Sequence, residues 1–147
     1  MKQHCIKPSF FIQFGYPGEM KEDIEQTIHM INSLLPFEIG ISVSYPLPGT
    51  VFYERVKADL KTKTNWTDSD EMALMFHNTF PPSYYKQLHR YVHQNYHQHL
   101  AQNSLKQLLR KPFHSTPANL RKALSVFYHT PATLIEKAKL NRLEKAL

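Results

Sequence analysis

The chain has 147 residues, 41% of them hydrophobic and 20% charged, which suffices for one packed domain and argues against wholesale disorder. Four glycines against ten prolines exclude an all-β chain built from tight hairpins. The net charge of +6 is uneven: residues 1–73 hold 7 Lys/Arg and 10 Asp/Glu, residues 74–147 hold 11 and 2. One cysteine, Cys5, excludes an internal disulfide and any all-cysteine metal site, and it fits a reducing cytoplasm.

Phe10–Phe14 is short, aromatic and nearly continuous in apolar character, the pattern of a strand buried on both faces. Gly15-Tyr16-Pro17-Gly18 ends it. A helix follows over about 20–35, with Ile24, Ile28, Ile31 and Leu35 on one face, acidic residues at its start and Pro36 as its stop. Residues 39–45 alternate: Ile39, Ile41, Val43 and Tyr45 on one side, Gly40, Ser42 and Ser44 on the other, a second strand. Strand, helix and strand with short links make a βαβ unit. Thr50 is placed to cap a short helix over about 51–60.

Beyond this the pattern is helical. Asp68 and Glu71 have capping-box spacing. Pro81-Pro82-Ser83 opens a long helix, about 84–109, striped by Tyr85, Leu88, Val92, Tyr96 and Leu100 and continued by Leu105, Leu108 and Leu109. Thr116-Pro117 and Thr130-Pro131 both read as a cap followed by a first-turn proline, predicting helices over 117–128 and 131–146. In the first of these Leu120, Ala123, Leu124 and Phe127 are expected to turn inward. The chain thus divides into a βαβ part, 1–62, and a helical cap or extension, 63–147.

Two parallel strands do not stand alone, because such a sheet cannot bury both faces. The expectation is that this chain is the C-terminal part of a larger α/β protein. In parallel α/β folds ligands gather at the carboxyl ends of strands, here Phe14–Glu19 and Ser44–Thr50. Free amides at Gly18 and Glu19, before a helix, are candidates to receive an anion.

These loops carry a family resemblance over about residues 5–100. FFIQFGYPGEMKEDIEQTIHMI, EIGISVSYPLPGTVFYERV and NWTDSDEMALMF resemble the end of a radical S-adenosylmethionine enzyme of the cobalamin-binding-domain class, the group that includes the anaerobic magnesium-protoporphyrin ester cyclase. The resemblance implies an α/β fold, the C-terminal portion of a partial (β/α)6 radical-SAM barrel, followed by an all-helical extension. It implies that Ile12, Phe14 and Gly15, with Tyr45, Pro46 and Leu47, line an adenine pocket. It implies S-adenosylmethionine and a [4Fe-4S] cluster in the full-length parent, with cobalamin as a further cofactor of that class, and reductive cofactor cleavage serving methyl transfer or cyclisation on a small-molecule substrate. The three-cysteine cluster motif is absent from this chain, so no cofactor and no activity are expected of it alone. Its expected partner is the missing N-terminal barrel half or parent chain, in the cytoplasm, and not a membrane.

Two rival readings remain. His89, His93 and His97 recur every fourth residue, with His99 nearby, a spacing that can share zinc, but no His-Glu-x-x-His supplies a base. Arg110, Lys111, Arg121, Lys122, Lys137, Lys139, Arg142 and Lys145, interleaved with Phe113, Phe127 and Tyr128, describe a basic helical module for nucleic acid or an acidic partner. It matches no nucleic-acid module and ranks second.

Overall fold

The computed structural model describes residues 6–60, 76–110 and 116–146. In chain order these form β1 (Ser9–Phe14), α1 (Lys21–Leu34), β2 (Glu38–Val43), α2 (Val51–Val56) with a 3-10 turn at Lys57–Asp59, α3 (Pro82–Arg110), α4 (Pro117–Leu124) and α5 (Val126–Glu144). The protein is a mixed α/β chain, mostly helical, with a two-stranded parallel sheet. Ser9 stands opposite Glu38 and Phe14 opposite Val43.

Period-two alternation sends Ile12 and Phe14 of β1, with Ile39, Ile41 and Val43 of β2, to one face. There they meet Ile24 and Ile31 of α1 and the stripe Tyr84, Tyr85, Leu88, Val92 and Tyr96 of α3. The opposite face is open. Phe11 is 68% exposed, its ring lying over Gly40 across the strand pair, and Gln13 is exposed beside it. β1 has the composition of a strand buried on both faces, but a two-stranded sheet on its own is expected to leave Phe10, Phe11 or Ile41 bare, and Phe11 is the one left so while Ile41 is buried. The described helices that join the core cover one side, and a strand with one covered side buries alternate residues whatever its composition.

α1 and α5 both pack on α3, so α3 is the spine. Polar ties fix its register. The Tyr96 hydroxyl donates to the carbonyls of Pro36 and Phe37 at 2.8 and 3.0 Å. Asn95 donates to Asn32 of α1 at 3.0 Å. Gln87 donates to the backbone carbonyl and the carboxylate of Glu136 on α5 at 3.0 and 2.7 Å. The Lys21–Glu144 ion pair, 2.7 Å, joins α1 to α5 near the surface.

Helix ends follow local chemistry. The backbone N–H of Met20 donates to Asp23 at the start of α1. At its end Leu35 turns left-handed, φ 42°, with its N–H on the Ile31 carbonyl, and Pro36 follows. Thr50 caps α2 and Thr116 caps α4 through their side-chain oxygens. Thr130-Pro131 is no cap, a second correction. Ser125 keeps right-handed helical angles and its carbonyl accepts from Tyr128 and His129, so α5 starts there and Pro131 falls inside it. An interior proline forfeits one ladder bond and crowds the carbonyl four residues before it, here that of Phe127, yet α5 runs on through Pro131 to Glu144. A third correction concerns orientation. Ala123 is buried as expected, but Leu120, Leu124 and Phe127 face outward, and so does Leu109. No helix among the described residues is long and apolar enough to cross a membrane.

Tyr96→Phe removes the donor that ties α3 to the α1–β2 link and strands two carbonyls. It should lower unfolding free energy by about 1–2 kcal/mol. Removing the exposed Lys21–Glu144 pair with Lys21→Met should shift the urea midpoint far less. Equilibrium urea unfolding of both variants checks the order.

Candidate functional site

The carboxyl ends of the two strands lie side by side. Past Val43 the pairing extends one step, with the Ser44 N–H donating to the Phe14 carbonyl at 2.7 Å. The loop after β1 then turns at Gly15, φ +80°, and Gly18, φ +85°. α2 ties the two strand ends together. Tyr16 packs on Phe52 at 5.0 Å between ring centroids, and Phe52 sits edge-on to Phe76 at 5.4 Å. Val56 and Phe76 form a small second core, against which Tyr45 and Leu60 also pack.

Gly15 is the centre of the arrangement. A side chain there would have its Cβ 3.3 Å from Asn78 Nδ2 and 3.4 Å from Tyr85 Cζ, so the backbone is approached closely from two sides. Both polar atoms of Asn78 are buried with no hydrogen-bond partner, and the hydroxyl of Tyr85 is buried with only the Phe80 backbone N–H near it, too poorly placed for a well-formed bond. Buried groups of this kind are rarely left unpaired, and those that are often mark a binding or catalytic position. The Gly15 N–H donates to the Glu19 carboxylate at 2.7 Å. Burial pushes the Glu19 carboxyl above the usual range; the Gly15 N–H opposes the shift and the nearby Asp23 charge adds to it. Burial likewise raises the Tyr85 hydroxyl, with the Glu19 charge adding to it and the Phe80 backbone opposing it. One half-buried carboxylate, one neutral phenol and one uncommitted amide converge on a bare stretch of backbone. This is a polar cluster that can present a donor and an acceptor together.

The sequence-derived residues are distributed unevenly around it. Gly15 is at its heart. Ile12 and Phe14 lie on β1 just before it, with their side chains turned into the core under the helices. Tyr45 is half-buried against the second core, Pro46 is buried, and Leu47 is exposed. The Leu47 carbonyl is occupied, accepting from both the N–H and the hydroxyl of Thr50. Of the two amides expected to receive an anion, that of Glu19 is not free, since its N–H donates to the Tyr16 carbonyl, and the Glu19 carboxylate itself accepts from the Gly15 N–H at this turn. Sequence reasoning did not single out Asn78 or Tyr85 for this site. Tyr85 was legible only as stripe, and Asn78 sits in a loop with no periodic signal.

The histidines do gather. His89 and His93 lie 4.5 Å apart, His93 and His97 6.5 Å, and His97 stacks on His129 of α5 at 5.4 Å. His129 Nδ1 pairs with Gln94 Oε1 at 2.9 Å. Burial first, then the neighbouring rings, hold His93 and His129 below the usual imidazole range. Among the described residues no three His, Cys, Asp or Glu side chains are grouped to hold a metal ion. Cys5, Lys111, Phe113 and the Asp68–Glu71 pair lie outside the described residues. No family model, curated protein or solved structure matches this chain.

Gly15→Ala and Gly18→Ala both force an L-residue into positive φ, but only the first adds contact with Asn78 and Tyr85. Chemical denaturation should show both destabilised, by about 1–3 kcal/mol, with Gly15→Ala the worse. Because the folded form raises the Glu19 pKa, it holds a proton that the unfolded chain releases, and this group's contribution falls as pH rises through the carboxylate range. In Glu19→Gln, whose amide oxygen can still accept from Gly15, that loss should vanish. The stability of Glu19→Gln relative to the parent should therefore rise from acid to neutral pH, read as the difference between the two proteins' unfolding midpoints at each pH.

Proposed function

We propose that this chain is the C-terminal βαβ part of a radical S-adenosylmethionine enzyme barrel with a helical cap, and that it works only when the missing N-terminal barrel half or parent chain completes the sheet. The observation that carries the reading is the unfinished sheet. A parallel pair with a bare face holding Phe11, whose carboxyl ends are nonetheless closed by ordered loops at Gly15 and Pro46, is built like the end of a larger parallel layer. The sequence resemblance over about residues 5–100 supplies the family.

The chain's fit to the cofactors of that family differs between them. A [4Fe-4S] cluster does not fit: three thiolates are needed and Cys5 is the sole cysteine, so no step through a cluster belongs to this chain. Part of S-adenosylmethionine fits better. An adenine edge presents a donor beside an acceptor, and the unpaired amide of Asn78 beside Gly15, buried in this chain alone, has the complementary pair. Gly15, with Tyr45, Pro46 and Leu47 at the next strand end, would form the wall. The cofactor's own chemistry, reductive cleavage at its sulfonium, belongs to the part that carries the cluster, as would cobalamin. The residues here position the adenine and exclude water.

The test is completion in trans. Co-expression with the cluster-bearing first four strands of such an enzyme should yield a complex that forms 5′-deoxyadenosine from S-adenosylmethionine, and Asn78→Ala should weaken cofactor binding by that complex. The chain alone, reconstituted anaerobically with iron and sulfide, should form no stoichiometric cluster. An isolated chain that is a monodisperse monomer with a sharp two-state melt, and that gains nothing from the added half, would count against the reading.

A further inference from the structure

Imidazoles form a row along the seam between α3 and α5. His93 and His97 lie one turn apart on α3, 6.5 Å between ring centroids, and His129 of α5 stacks on His97 at 5.4 Å with the ring planes 19° apart. His89 extends the row by one more turn, 4.5 Å from His93. A spacing of four residues keeps the α3 rings on one helical face. His129 Nδ1 stands 2.9 Å from Gln94 Oε1, an oxygen that can only accept. Nδ1 therefore carries the hydrogen of the neutral ring, and Nε2 is the nitrogen that titrates.

The surrounding charges do not favour the protonated row. Residues 74–147 hold two carboxylates, Glu136 and Glu144. Glu136 accepts from Gln87 and Lys139, and Glu144 from Lys21 and Tyr84. Toward α1 and β2, Glu25 acts on Tyr91 and Glu38 on Tyr96. α4, also packed on α3, carries Arg121 and Lys122, and α5 adds Lys137, Lys139 and Arg142. On α3 itself Arg90 acts on Glu136, and Lys106 acts on His99 beyond the row. The charges that bear on His93 are those of His89 and His97, and on His129 that of His97; they add to burial in holding both rings below the usual imidazole range. The opened seam thus takes up these protons more readily than the closed one. Its stability is full above the ordinary imidazole range, near pH ~6.5, and is lost as pH falls through and below it.

The two ends of α5 respond differently. Its C-terminal half is held by Leu140 in the core and by the Gln87–Glu136 and Lys21–Glu144 ties. Lys139 and Gln87 keep the Glu136 carboxyl below its usual range, so that tie outlasts the histidines on acidification. At the other end the buried residues are the small Ala123 and Thr133, while Leu120, Leu124 and Phe127 face outward. We propose that His93, His97 and His129 form an acid-operated latch: the neutral rings keep α4 and the first turns of α5 on α3, and protonation releases that end of the hairpin while the rest of the fold stays closed. The proposal is independent of the barrel reading.

Native-state amide hydrogen exchange of the full chain at about pH 7.5 and about pH 5 tests it, each corrected for the intrinsic rate at that pH. Protection over residues 117–133 should fall at the lower pH by about fivefold or more relative to that of β1, β2 and residues 84–96, the size expected of two unit charges this close near a protein surface. His97→Phe and, separately, His129→Phe keep a ring at the seam and remove the pair of charges that crosses it. Each should cut the selective acid loss to roughly half or less. No loss on acidification, a loss spread evenly over all elements, or a selective loss kept in full by either variant that is folded at the higher pH overturns the proposal.

Discussion

Everything in this fold hangs on one stripe of α3. A parallel pair of strands has no means of burying itself, and β1 and β2 would be two loose segments without a helix laid across them. Tyr84, Tyr85, Leu88, Val92 and Tyr96 supply that layer, and the same helix also carries α1 through Asn95 and α5 through Gln87. The stripe is rich in tyrosine for a reason visible in its hydrogen bonds. Tyr96 uses its ring for packing and its hydroxyl to hold the carbonyls that open β2, and Tyr84 donates to Glu144. An all-leucine stripe would bury similar area and hold neither the link into β2 nor Glu144 of α5.

The same helix shapes the candidate site. Tyr85 belongs to the stripe, yet its hydroxyl end reaches the strand termini beside Gly15, so the support of the sheet is also a wall of the polar cluster. This places conflicting demands on a few side chains. Glu19 is held by the Gly15 N–H but disfavoured by burial, and Asn78 is buried without a partner. Local dissatisfaction of this sort costs stability, and folded proteins tolerate it chiefly where a ligand or partner relieves it.

Most helices and both strands were legible in the sequence because their signal is periodic. Ile24 and Ile31, and Leu88, Val92 and Tyr96, sit at helical spacing and are buried; Ile39, Ile41 and Val43 alternate and are buried. Periodicity says which residues share a face. It does not say whether the chain itself covers that face. Leu120, Leu124 and Phe127 were read as interior because they are apolar, and they are outside because no described element reaches them, whereas the exposure of Phe11 follows from a sheet of only two strands. Thr130-Pro131 imitated a cap, but the chain had already turned at Ser125. At the site, Gly15 was legible from its loop, whereas Asn78 enters it from a distant loop, and only tertiary packing brings those two together.

Native-state amide hydrogen exchange of the chain carrying Leu88→Ala tests the central claim most directly. Leu88 is fully buried at the middle of the stripe. If α3 is the common support, this one truncation, expected to cost about 2–5 kcal/mol, lowers protection in β1, β2, α1 and α5 together and by similar amounts. Protection that falls in α3 alone, while the strands and α1 keep theirs, would mean that the βαβ unit holds itself together and would contradict the account.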